Sequence, residues 1–155
     1  MSELSFIKMH GLGNDFVVVD GRGGDVALDS RRVRAIAERR EGVGCDQLLE
    51  ICPPNSEEAD AFMRIWNADG GQVEACGNGT RCVAAFLMME SGESETVIET
   101  VAGLLKAETA GPGLVAVDMG AAHTEWNEIP LARELDTLKL DLTLGELTAP
   151  VAVNM

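Results

Sequence analysis

The sequence predicts an α+β fold in which a curved, barrel-like sheet wraps one buried central helix, and three observations carry that prediction. Seventeen glycines among 155 residues, most in pairs or near-pairs, require many sharp turns between short elements. Short β-branched runs recur between those turns, as in strands joined by tight connections. One segment, Cys82 to Met89, is apolar on every side, and such a helix belongs in the middle of a structure.

The elements follow in order. Ser5 to Met9 alternates and Phe16 to Val19 is a β-branched run, with a glycine-bearing loop, His10 to Asn14, between two strands. From Asp29 or Ser30 the period changes: Val33, Ile36 and Ala37 predict a short amphipathic helix. Arg39 and Arg40 fill its last turn and Gly42 stops it. The arginines of this segment read as a solvated face suited to the helix dipole rather than a binding patch. Leu48 to Ile51 and Ala61 to Trp66 are strands broken by Pro53-Pro54-Asn55-Ser56, the second running into the turn Asn67 to Gly71. The central helix ends at Ser91-Gly92. Thr96 to Val101, Leu104 to Glu108 and Leu114 to Met119 continue the sheet, with a hairpin turn at Ala102-Gly103. Past Gly120 the texture loosens, and strands resume near Leu138 to Leu142 and Leu147 to Val153. The expected organisation is therefore 1–119 as one half-domain and 120–155 as the start of a second. An apolar strand running to Asn154-Met155 without a turn or cap suggests an amino-terminal piece of a longer chain.

Composition removes several function classes. A chain of this length buries about 70% of its unfolded surface, so its core needs neither metal nor disulfide. Twelve basic against 26 acidic residues give a net charge of −14, which repels a phosphate backbone and argues against nucleic acid as a partner. Cys82 to Met89, the longest apolar run, is far short of the roughly 20 residues of a membrane span. Nothing near the amino terminus resembles a secretory leader, so the expected address is the cytoplasm. Cys45, Cys52, Cys76 and Cys82 form no C-x-x-C pair and are expected as thiols. With only His10 and His123 as imidazoles, no metal site is expected.

The chemistry concentrates at Cys76-Gly77-Asn78-Gly79, which opens the apolar helix. The first turn leaves backbone N–H groups unpaired and carries partial positive charge, so an anion belongs there. A thiol at a helix amino terminus can titrate near neutrality, and the glycines let a ligand approach the backbone. An isolated Cys-Gly pair would be read as an inert buried cysteine. The neighbouring segments His10-Gly11-Leu12-Gly13-Asn14-Asp15-Phe16, Gly42-Val43-Gly44-Cys45-Asp46-Gln47-Leu48, and Asn67-Ala68-Asp69-Gly70 through Cys76-Gly77-Asn78-Gly79-Thr80-Arg81 change that reading.

Together these segments resemble diaminopimelate epimerase, from Phe6 to about Gly120. The resemblance implies two similar halves, each a barrel-like sheet around a central helix, with the substrate between them. It implies an epimerase of the lysine and peptidoglycan pathway that uses no cofactor and interconverts LL- and meso-diaminopimelate. Position by position, Cys76 matches one of two catalytic cysteines, and Gly77 and Asn78 match donors to the substrate α-carboxylate. Asn14, Gln47 and Asn67 match substrate-binding positions. Amides suit both the ammonium and carboxylate ends of an amino acid without a strong ion pair near the reacting carbon. Apart from the resemblance, Asn14 and Asn67 would be turn residues and Gln47 a surface residue.

Inverting a stereocentre removes a proton on one face and delivers one on the other, so two bases are needed. Cys45, Cys52 and Cys82 are expected to be structural. In the family the second cysteine belongs to the other half, along with an Asn-Pro-His stretch, and this chain ends before either. The expectation is that it does not epimerise alone; a homodimer is left open for the full-length protein. Two other classes compete. One is a non-catalytic half-barrel module that holds a carboxylate or phosphate at the helix terminus. The other is a cysteine phosphatase, ranked last because its loop wants five residues between Cys and Arg and here four separate Cys76 from Arg81. Proline and hydroxyproline racemases share the two-cysteine plan, but the first two segments favour diaminopimelate.

Overall fold

Leu12 and Gly13, both at positive φ (54° and 87°), turn Ile7–Gly11 (β1) into antiparallel register with Asn14–Asp20 (β2). Two positive φ values at the centre of a two-residue loop match the right-handed twist of the strands they join. In this computed structural model, which describes residues 4–24 and 26–154, the chain then crosses through Ser30–Ala37 (α1). It returns as Gln47–Cys52 (β3), parallel to β2. Ala61–Asn67 (β4) runs antiparallel to β3, and the short Gln72–Val73 (β5) pairs back on it. A second crossover, Gly77–Ser91 (α2), leads to Glu95–Thr100 (β6), parallel to β4. Gly103–Gly111 (β7) and Leu114–Val117 (β8) complete an antiparallel meander. The sheet order is β1-β2-β3-β4-β6-β7-β8, and α2 packs on all of these strands. The result is the predicted α+β architecture: a curved, partly open half-barrel around a helix.

Two apolar layers hold it. On the α2 side, Phe16, Val18, Leu49, Ile51, Met63, Ile65 and Ile98 meet Val83, Ala84, Leu87 and Met88. On the other side, Val17, Val19, Leu48 and Trp66 meet Val33 and Ala37 of α1. Alternate residues of the central strands thus face two different helices, which is why β2 reads as a continuous apolar run and β3 as one interrupted only by Glu50. α2 ends at Gly92 in the left-handed conformation, its N–H bonded to the Met88 carbonyl.

Three predictions need correction. The central helix is not buried all round: Met89 is 76% exposed, because the sheet leaves one side of the helix open. Arg39 and Arg40 are not in the last turn of α1, which ends at Ala37. Glu38 is already extended there, and its carboxylate takes the Arg40 N–H at 2.6 Å. Gly42 consequently does more than stop a helix. The chain doubles back under α1, with Val43 and Gly44 N–H both bonded to the Ile36 carbonyl. A Cβ on Gly42 would lie 2.2 Å from the Ala35 carbonyl oxygen. Finally, Leu138 to Leu142 is not a strand and Leu147 to Val153 is one only at Leu147–Thr148 (β10), paired with Thr143–Leu144 (β9).

The reason lies in the unit that begins at Met119. Leu138, Leu142, Leu144 and Leu147 are exposed, so their alternation has no layer to face. Ala149 N–H bonds the Leu142 carbonyl and Leu140 N–H the Pro150 carbonyl. Pro150 has no N–H with which to extend a ladder. Asn154, just past the predicted terminal strand, bridges His123, and Met155 lies outside the described residues.

Candidate functional site

Because β2 and β3 are parallel, their first residues, Asn14 and Gln47, lie at the same end of the sheet. β4 runs the other way, and its last residue, Asn67, is the register partner of Gln47. α2 starts at this end: a Cβ built on Gly11 would touch the Asn78 carbonyl oxygen at 3.4 Å. Strand topology alone thus gathers every predicted site residue: Asn14, Gln47, Asn67, Cys76, Gly77 and Asn78.

Cys76 is the N-cap of α2, with extended backbone and its Sγ 3.4 Å from the donating N–H of Gly79. A carbonyl doubly bonded by Thr80, through N–H at 2.8 Å and Oγ1 at 2.9 Å, pins the same residue. Gly79 has to be small. A Cβ there would stand 3.0 Å from Leu49 Cδ2 and 3.5 Å from Cys76 Sγ, so a side chain would press on the core and on the thiol together. Gly77 and Asn78 supply first-turn N–H groups, which have no acceptor within a helix. The Asn78 carbonyl oxygen of the side chain is bonded by the Arg81 guanidinium. Arg81 is therefore engaged in its own helix, which weakens it as the phosphate ligand of the phosphatase reading.

The amides form two groups. Gln47 Nε2 donates to Asn67 Oδ1 at 2.9 Å, and Gln47 Oε1 is buried with no hydrogen-bond partner among the described residues, an acceptor left for a ligand donor or water. Asn14 Oδ1 lies 3.9 Å from Cys76 Sγ, as acceptor for the thiol proton, and Asn14 Nδ2 donates to Asp46 Oδ2 at 3.0 Å.

Asp46 opens a network that the sequence reading missed. Arg39 Nη2 bonds Asp15 Oδ1 at 2.7 Å and Asp46 Oδ1 at 2.8 Å, and Lys8 Nζ reaches Asp15 Oδ2 at 2.7 Å. The Arg39 guanidinium, helped by Lys8, holds the Asp15 carboxyl well below the usual carboxylate range. The Asn14 amide, then the Asp15 N–H, lowers that of Asp46. A local signal was present: an aspartate adjoins a predicted site residue in both Asn14-Asp15 and Asp46-Gln47. The other three thiols are elsewhere. Cys45 and Cys82 are buried in the two layers and Cys52 ends β3; burial pushes all three upward in pKa.

Cavity size would point away from this cluster. A concavity of about 550 Å³ lies over β6, β7 and β8, lined by Glu95, Val97, Lys106, Glu108 and Asp118. Among the described residues, no three His, Cys, Asp or Glu side chains gather where a metal could be held, and no helix is long and apolar enough to cross a membrane.

A thiol capping the central helix of a half-barrel, with Asn14 beside it and Gln47 and Asn67 at the same sheet end, sits on a fold class that other solved proteins share. A hydroxyproline epimerase from Agrobacterium vitis, solved with trans-4-hydroxy-L-proline, superposes over 76% of this chain and 41% of its own at a TM-score of 0.56 and 23% identity. A methylitaconate-Δ-isomerase superposes over 71% and 35% at a TM-score of 0.58 and 20% identity. These likenesses show the fold. Sequence is more specific: the diaminopimelate epimerase family matches residues 6–125. A relative from Phenylobacterium zucineum named diaminopimelate epimerase is 56% identical over 148 residues, 94% of this chain and 53% of the relative. One of the same name from Acidiphilium cryptum is 53% identical over 150 residues, 97% and 53%. The chain belongs to the diaminopimelate epimerase family, and it spans about half the length of these curated relatives.

Proposed function

We propose that this chain supplies one half of a cofactor-independent epimerase site that interconverts LL- and meso-diaminopimelate. In this reading Cys76 is one of two acid/base groups at the α-carbon. Its placement at the N-cap of α2, with the amides of Asn14, Gln47 and Asn67 at the same sheet end, is the observation that carries the proposal. The substrate α-carboxylate docks on the first-turn N–H groups of Gly77 and Asn78, where the helix dipole favours negative charge. As Cys76 removes or delivers the α-proton, charge spreads into that carboxylate, and preorganised donors stabilise it without rearrangement. Asn14, Gln47 and Asn67 orient the remaining polar groups, the buried Gln47 Oε1 accepting from an ammonium. The second base is not Cys45, Cys52 or Cys82, and in the proposal it comes from the part of the relatives' length that this chain does not span.

The test joins this chain to the remaining half of the Phenylobacterium zucineum relative. The chimera is expected to interconvert LL- and meso-diaminopimelate, and Cys76→Ala to lower kcat by about 10³-fold, the scale of a lost general acid/base. The 155-residue chain alone is expected to show no sustained turnover. Full activity in the Cys76→Ala chimera would remove the thiol from the mechanism. A folded chain that binds diaminopimelate while its chimera exchanges no α-proton would favour the non-catalytic carboxylate-binding module.

A further inference from the structure

Asn14 meets Cys76 with its oxygen rather than its nitrogen, and the reason lies on the far side of the amide. A side-chain amide accepts at one end and donates at the other, and its partners decide which end faces where. The partner here is a carboxylate, which only accepts. Asp46 Oδ2 takes Asn14 Nδ2 at 3.0 Å and the Asp15 N–H at 3.1 Å, while Oδ1 takes Arg39 Nη2 at 2.8 Å. Asp46 N–H in turn bonds Asp15 Oδ1 at 3.0 Å. The carboxylate is thus held from three directions and cannot turn with the amide.

We infer that Asp46 is a positioning residue that fixes the Asn14 amide with its oxygen toward Cys76 Sγ, so that the thiol proton has an acceptor of its own. The two protonation states of Cys76 then have separate partners. The thiol donates to Asn14 Oδ1, 3.9 Å away, and the thiolate accepts from Gly79 N–H, 3.4 Å away on the helix. With the amide reversed, both partners would be donors and the thiolate alone would be served. A group that must alternate between taking and giving a proton at one carbon gains from having both states provided for. The meaning of this device rests on the acid/base role proposed for Cys76, but its detection does not.

The test is the rate at which iodoacetamide alkylates Cys76 in the 155-residue chain at pH 7, read by peptide mass spectrometry. Asp46→Asn frees the amide to turn its Nδ2 toward sulfur. One hydrogen bond to a charged group raises the thiolate population about tenfold, and the lower nucleophilicity of a stabilised thiolate reduces this to about threefold in rate. In an Asn14→Ala background the same Asp46→Asn change is expected to do nothing, which a general loosening of the fold would not reproduce. Equal rates in the wild-type and Asp46→Asn chains, or an Asp46→Asn effect that survives without Asn14, would overturn the inference. Should Asp46→Asn not fold, the wild-type chain still decides. Its Asn14 side-chain N–H resonances are expected to move as Asp46 takes up its proton in acid, and resonances indifferent to that titration would sink the idea. Neither readout uses turnover, so an inactive chimera would count against the epimerase reading and leave this one standing.

Discussion

Strands β2 and β3, with the Trp66 end of β4, are covered on both faces, whereas β6, β7 and β8 are covered on one. Phe16 through Val19 and Leu48 through Ile51 are buried without interruption, alternate residues facing α2 and α1. On β6 and β7 burial alternates: Thr96, Ile98, Leu105 and Ala107 face inward, and Glu95, Leu104, Lys106 and Glu108 face solvent. Every side chain of the candidate site comes from the ends of the doubly covered strands or from the helix they hold. A site that must place a thiol and three amides within a few tenths of an ångström needs neighbours whose rotamers are locked by packing. The concavity of about 550 Å³ lies over the singly covered strands, where side chains have no second layer to fix them. Cavity volume and rigidity therefore point in opposite directions in this molecule, and the candidate site lies with rigidity.

Two substitutions sharpen this contrast. Leu49 is fully buried on β3 and lies under Gly79, so Leu49→Ala is expected to cost about 3 kcal/mol, the usual size of a cavity left by a core leucine. Leu104 on β7 is 41% exposed, and Leu104→Ala is expected to change stability by no more than about 0.5 kcal/mol. Urea unfolding of both measures the difference, and similar midpoints would show that the two halves of the sheet are equally well supported. Gly42→Ala probes the second cover directly. Its Cβ would collide with backbone carbonyls of α1, which cannot rotate away as a side chain could, and the expected cost is about 2 kcal/mol. An unchanged melting temperature would mean that α1 shifts freely on β2 and β3.

What could be read from the sequence, and what could not, divides along the same physical line. The strands, the crossover helix and the cysteine at its start have local signatures, because periodicity and helix entry are written within a few residues. Asn14, Gln47 and Asn67 are marked as candidates by their segments, although spacing alone classes the two asparagines as turn residues. The structure makes all three strand-terminal. The network of Arg39 with Asp15 and Asp46 is not legible: the two aspartates lie 24 and 7 residues from Arg39, and no local rule joins them. A cation suits a helix end, so the pattern predicts Arg39 there, whereas nothing in the pattern marks Glu38 as the residue that turns the chain. Leu138 to Leu142 failed for a different reason. Alternation announces a strand only when a second layer receives the apolar face, and here that face is open to solvent.

The Arg39 network yields the smallest effect and the most specific one. Arg39 is exposed, and a surface ion pair contributes little on its own, yet this one ties the start of β2 to the start of β3. Asp15 has a folded-state pKa below its unfolded value of about 3.9, chiefly because Arg39 bonds it, and Asp46 is lowered in the same direction. A depressed carboxylate stabilises the folded chain above its unfolded pKa, and that stability is lost as pH falls toward the folded value. Arg39→Gln removes the main cause for Asp15. Its urea midpoint is therefore expected to lie slightly below wild type from about pH 5 upward, with the gap closing as pH drops below about 4. Added salt is expected to narrow the gap at neutral pH, since the pair is open to solvent. A gap that stays constant from neutral pH into acid would mean that Arg39 acts through packing of its long side chain, and the tie between the two strand starts would then be apolar rather than ionic.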